Sequence, residues 1–152
     1  MKNPLLKITT IIALALSLSS CTKSSNSNNT TTNTTPSMSA TMNGTATTYT
    51  GAATSGSNYL TVTGTSANYT LTIYIHTPVS TGTVSLGASS GSYAVVQTGA
   101  GGYWATSSTS TGTLNISSYS TSTSLISGTF SFTAAGSSNM SVTSGSFANL
   151  KF

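Results

Sequence analysis

Asn68-Tyr69-Thr70-Leu71-Thr72-Ile73-Tyr74-Ile75-His76 is the stretch that decides the fold. Tyr69, Leu71, Ile73 and Ile75 alternate with Thr70, Thr72, Tyr74 and His76. A period of two places the first set on one face of a strand and the hydroxyl-rich set on the other. A helix would scatter the same residues around its circumference. The pattern returns in shorter form at Leu60 and Val62, at Val84 and Leu86, and at Leu114 and Ile116. Ile126, Gly128, Phe130 and Phe132 make a further segment, with Gly128 expected at a bulge or a close approach of chains. Met140 and Val142 lead into a last segment carrying Phe147, Leu150 and Phe152. Its apolar set changes phase between Phe147 and Leu150, where a bulge is expected.

Glycines punctuate these runs, at residues 51–56, 64, 82, 87–91, 99–102, 112 and 136. Short alternating strands between frequent turns predict an all-β domain over residues 38–152: an antiparallel β-sandwich, or a barrel-like relative, of eight to nine strands. Gly-Thr recurs at Gly44, Gly64, Gly82, Gly112 and Gly128, at uneven intervals of 20, 18, 30 and 16 residues. The unevenness argues against a solenoid or a regular Thr-x-Thr array.

Outward from this domain toward the N-terminus the chemistry changes twice. Residues 21–37 are almost entirely Ser, Thr and Asn, with nothing apolar to bury beyond Cys21, and read as a flexible tether. As a random coil it would reach about 20–25 Å. Residues 1–20 read as a secretory signal: Lys2 and Lys7, then an apolar run over residues 8–18, then small residues. The apolar run is about 16 Å long as a helix, too short for a bilayer core of about 30 Å. Cys21 is the one cysteine, so it has no internal disulfide partner.

Leu18-Ser19-Ser20-Cys21 resembles the bacterial lipoprotein signal box. The resemblance implies that Cys21 is diacylated on sulfur and becomes the N-terminus after cleavage. Two or more acyl chains give stable anchoring where one does not. Ile126-Ser127-Gly128-Thr129-Phe130-Ser131-Phe132-Thr133-Ala134, together with residues 142–152 (VTSGSFANLKF), is similar to a family of small bacterial lipoproteins classed only as a domain of unknown function. Thr81-Gly82-Thr83-Val84-Ser85-Leu86 matches that family's upstream segment, with Val84 where an aromatic is common. The family implies a location and a β-sandwich, but no activity. Many members carry Asp or Glu in their loops and this chain carries none. Thr22 is not the Asp that marks inner-membrane retention in some bacteria, so the expected location is the outer membrane, with neither side marked.

The 152-residue chain has four lysines and no Asp, Glu or Arg. Lys2 and Lys7 fall in the signal, leaving Lys23 and Lys151, too few to neutralise a run of phosphates, so no nucleic-acid partner is expected. Without carboxylates there is no acid pair for glycoside hydrolysis and no acid to orient a catalytic histidine. Calcium and magnesium sites lean on carboxylates, and one His with one Cys falls short of a zinc site. No enzyme, metal or cofactor is expected.

Two features are left. His76 ends the deciding strand and reads as a surface or strand-end residue. Tyr103-Trp104 follows Gly99-Ala100-Gly101-Gly102 and admits two readings. An exposed aromatic pair would offer a sugar ring an apolar face with a polar rim. Alternatively Trp104 fills the core and Tyr103 caps an edge. The other tyrosines read as core edges and cross-strand partners. The leading functional expectation is a lipid-anchored, non-catalytic envelope protein. A glycan- or peptide-binding module using Tyr103 and Trp104 is the first alternative. Self-association through strand edges that few charges protect is the second.

Overall fold

The structure, a computed structural model, describes residues 35–152. The expected signal (1–20), Cys21 and most of the expected tether lie outside the described residues. Ten strands follow: β1 (Ser37–Met42), β2 (Thr45–Ser55), β3 (Tyr59–Thr65), β4 (Tyr69–His76), β5 (Gly82–Leu86), β6 (Tyr93–Thr98), β7 (Tyr103–Ala105), β8 (Gly112–Ser120), β9 (Leu125–Ala134) and β10 (Met140–Lys151). They form one sheet in the order β5-β8-β9-β10-β1-β2-β3-β4-β6-β7. Every pairing is antiparallel.

The sheet curls into a half-barrel. Its corner is β2, whose residues 45–49 pair with β1 and whose residues 50–55 pair with β3. Gly51 stands just past this switch. A Cβ there would come 2.9 Å from Leu150 Cδ2 and 3.0 Å from Met38 Cβ, so the inside of the bend has no room for a side chain. The curl brings β7 back over the start of the β9–β10 connection. There Ala105 N–H donates to the Ala135 carbonyl at 3.0 Å, and Ala135 N–H donates to that of Ala105 at 2.9 Å.

The two-residue turn between β1 and β2 is Asn43-Gly44, with φ of 46° and 83°. Two successive positive φ values suit the right-handed twist of a tight hairpin, and Asn-Gly supplies them at low cost. Asn43 also ties this turn to β10: Ser141 N–H donates to its Oδ1 at 2.7 Å, and its own N–H donates to the Ser141 carbonyl at 2.8 Å.

The inward set of the deciding strand is as its alternation requires. Leu71, Ile73 and Ile75 are at most 1% exposed, and Leu60, Val62, Leu114, Ile116, Ile126, Val142 and Leu150 share their core. Each such burial stabilises the fold by roughly 1.5–3 kcal/mol before chain entropy is subtracted.

The all-β antiparallel expectation holds in its barrel-like form, with ten strands instead of eight to nine. Two of the glycines expected to punctuate strands lie within them instead. Gly51 lies inside β2 and Gly64 inside β3. β7 has three residues, too few to show an alternation. The expected bulge between Phe147 and Leu150 is present, with Asn149 at φ 53°. A second shift, between Val142 and Gly145, carries Ser144 at φ 50°. Gly128 is a close approach at the edge of two bulges: it pairs with Ile116 of β8 and Phe147 of β10, the register shifts just beyond each of them, and a Cβ there would lie 2.7 Å from the Asn115 carbonyl.

Candidate binding surface

β7 sets Tyr103 opposite Gln97 and Trp104 opposite Val96 of β6. Neighbouring residues on a strand point to opposite faces. Val96 is fully buried, and Trp104 turns inward with it and packs against the core. Its indole lies against Gly136 and Gly102, where an added Cβ would come 2.5 Å from Cδ1 and Cη2 respectively. The indole Nε1 is buried without a hydrogen-bond partner. Tyr103 faces outward and is 55% exposed. The structure therefore places the two aromatics on opposite faces and does not bring them together as a stacking pair.

A different aromatic group assembles on the outer face. Tyr74 stands opposite Tyr93 across β4 and β6, and their rings stack with centroids 4.5 Å apart and planes at 17°. Tyr59 of β3 stands opposite His76, 5.7 Å away and at 86°. Tyr59 is also 5.9 Å from Tyr74 at 82°, and 5.8 Å from Tyr93 at 83°. β3 and β6 are separated by β4, hence by about 9.5 Å of backbone. Tyr59 therefore leans across β4. Being equidistant from the two stacked rings and perpendicular to both, it lies along their edges instead of joining the stack. Edge-to-face contacts of this kind contribute about 0.5–1.5 kcal/mol each beyond burial.

His76 is exposed, as expected of a strand end. Its backbone N–H donates to Ser92 Oγ at 2.9 Å. Gly91, at φ 72°, sits beside the imidazole, where a Cβ would touch the ring at 3.4 Å. Burial raises the Tyr93 phenol above its ordinary value, and Tyr74, Tyr59 and Tyr103 add to the rise in that order. A phenol hydroxyl can both donate and accept a hydrogen bond. Val95 shares the outer face yet is only 7% exposed and lies outside the core cluster, so this face carries its own thin layer of packed side chains. Thr61, Thr63, Thr72 and Gln97 complete it with hydroxyls and an amide.

Sequence reasoning had the tyrosines as cross-strand partners, which they are, but missed that three converge with His76. The period-two pattern carried part of the signal. Tyr74 and His76 share the hydroxyl-rich face of β4, whereas the register that adds Tyr59 and Tyr93 is not written in any one strand.

Elsewhere the surface is shallow. A groove of about 690 Å³ runs between residues 45–50 and 65–68 and is lined mainly by hydroxyls. Tyr49 borders it, but its hydroxyl is sealed from solvent and has no hydrogen-bond partner. Burial pushes that phenol up to about 12, against a smaller lowering by the Thr47 side chain. Among the described residues no group of three or more His, Cys, Asp or Glu stands together, and no helix is long and apolar enough to cross a membrane. Lys151 is the one charged side chain among them.

Residues 34–151 match the model of a family described as a domain of unknown function (DUF6252). The chain is a member of that family. No curated protein and no solved structure matches it.

Proposed function

We propose that this chain is a lipid-anchored, non-catalytic protein of the cell envelope, held at the outer membrane through Cys21. The observation that carries the reading is Leu18-Ser19-Ser20-Cys21, with Cys at the one position a lipoprotein box requires. The order of segments supports it. An export-like segment, a Ser/Thr/Asn tract and a β-domain whose first strand starts at Ser37 follow one another in order. A chain without Asp, Glu or Arg lacks the groups that most hydrolytic and phosphate-handling sites depend on. It also has little charge to keep it dispersed at high concentration. Display on a membrane suits such a surface better than a concentrated soluble pool does.

Fractionation tests the reading. The native chain is expected in the outer-membrane fraction and the Cys21→Ala variant in the soluble one. Equal partition of both into the soluble fraction would refute it. The edge-association alternative gains little support, because β5 has five residues and β7 three, and short edges are poor templates for a second chain.

A further inference from the structure

We propose that the outer face of β3, β4, β6 and β7 is a binding site for a neutral oligosaccharide, centred on Tyr59, Tyr74 and Tyr93 and flanked by His76 and Tyr103. The proposal concerns the β-domain alone and stands or falls separately from the anchor.

The argument starts from what a strand's outer face usually holds. On this sheet it is often Ser or Thr, as at Thr61, Thr63 and Thr72. Aromatics gather at one end of it instead. Three strands contribute to one group through the pairs Tyr59–His76 and Tyr74–Tyr93. Tyr59 reaches across β4 to lie along the edges of the stacked pair, so its ring is held by two neighbours. A ring fixed in this way presents apolar area at little further entropic cost on binding. Tyr103 is 55% exposed on the same face, opposite Gln97 and so four residues, about 13 Å, along β6 from Tyr93, a separation that an oligosaccharide of several sugars can span.

Charge selects the occupant. No carboxylate exists anywhere in the chain, and the lone cation of the described residues, Lys151, is on β10, which is not one of these strands. Apart from the His76 imidazole, no side chain named on this face is of an acidic or basic type. Phenol hydroxyls, Thr hydroxyls, the Gln97 amide and the His76 ring supply donors and acceptors around apolar ring faces. An oligosaccharide without charge has the complementary pattern: apolar C–H faces rimmed by hydroxyls. An acidic peptide, a polyanionic glycan or a nucleic acid would find no Lys or Arg there to match its run of charges.

The test titrates the full chain with uncharged hexasaccharides of glucose, mannose and N-acetylglucosamine, followed by calorimetry and by the tyrosine ring signals in NMR. Hexameric alginate and a Tyr-rich peptide serve as charged and peptidic comparisons. At least one neutral hexasaccharide is expected to bind and to shift the Tyr59, Tyr74 and Tyr93 ring signals. Tyr59→Ala is expected to weaken that binding tenfold or more. Because Tyr59→Ala loosens the aromatic layer, Tyr103→Ala is the second variant: its side chain is largely in water, and it should lower affinity severalfold without changing the melting temperature. No binding by any neutral hexasaccharide, equal or tighter binding of alginate or the peptide, or binding that both variants leave unchanged would overturn the proposal.

Discussion

Tyr49 shows what one atom can decide. Its ring fills the inside of the β2 corner beside Met38 and Gly64, but its hydroxyl is buried with no partner. An unpaired buried hydroxyl costs about 1–3 kcal/mol, so Tyr49→Phe should keep the packing and raise stability by about 1 kcal/mol, read as a higher denaturant midpoint. The same phenol sets an alkaline limit. Its folded value, about 12, lies above the ordinary 10, so the unfolded chain gives up this proton first. Stability is fully present below pH 10 and falls as pH rises toward 12. Tyr49→Phe should flatten that decline, and an unchanged alkaline limb would assign it to other tyrosines. At this scale the sequence was legible wherever alternation spoke. Leu71, Ile73 and Ile75 were placed inward by period alone. It was illegible for Trp104, because a three-residue strand after a glycine run gives no phase, and the facing of Trp104 is set by its pairing with Val96.

The strands are held in register by glycines that receive aromatic rings. Gly145 of β10 lies under the Phe130 ring, which an added Cβ would strike, and Phe130 is 4% exposed with no room to retreat. Gly145→Ala should cost about 1–3 kcal/mol by overpacking, measured as a lowered midpoint with an unchanged slope in denaturant. Ala at Gly44, which has nothing within 4 Å of its would-be Cβ, would be strained by its φ of 83° and not by a clash. A ring over a glycine is invisible in a linear sequence, since Phe130 and Gly145 belong to different strands. For the same reason Gly51 and Gly64 looked like breaks and proved to be strand interiors. The phase change between Phe147 and Leu150, by contrast, was readable because both residues lie on one strand.

For the molecule as a whole, the lack of carboxylate side chains governs how stability responds to pH. Acid unfolding is mostly the protonation of carboxylates that are paired or hydrogen-bonded in the folded state. This chain has no Asp or Glu to protonate. Its melting temperature should vary by only a few degrees between about pH 3 and pH 7, and a steep acid transition would show that another group carries the stability. Fold class and family were legible from the whole chain, because alternation and the C-terminal motifs run through most of it. The curl was not, since it depends on β2 changing partners midway.

The central claim is that location, set at Cys21, is the heart of what this chain does. Intact-mass analysis of protein extracted from membranes, beside the Cys21→Ala variant, tests it most directly. The account predicts a native mass that begins at Cys21 and carries acyl chains, and a variant without them. An unmodified chain, or one still beginning at Met1, would contradict it.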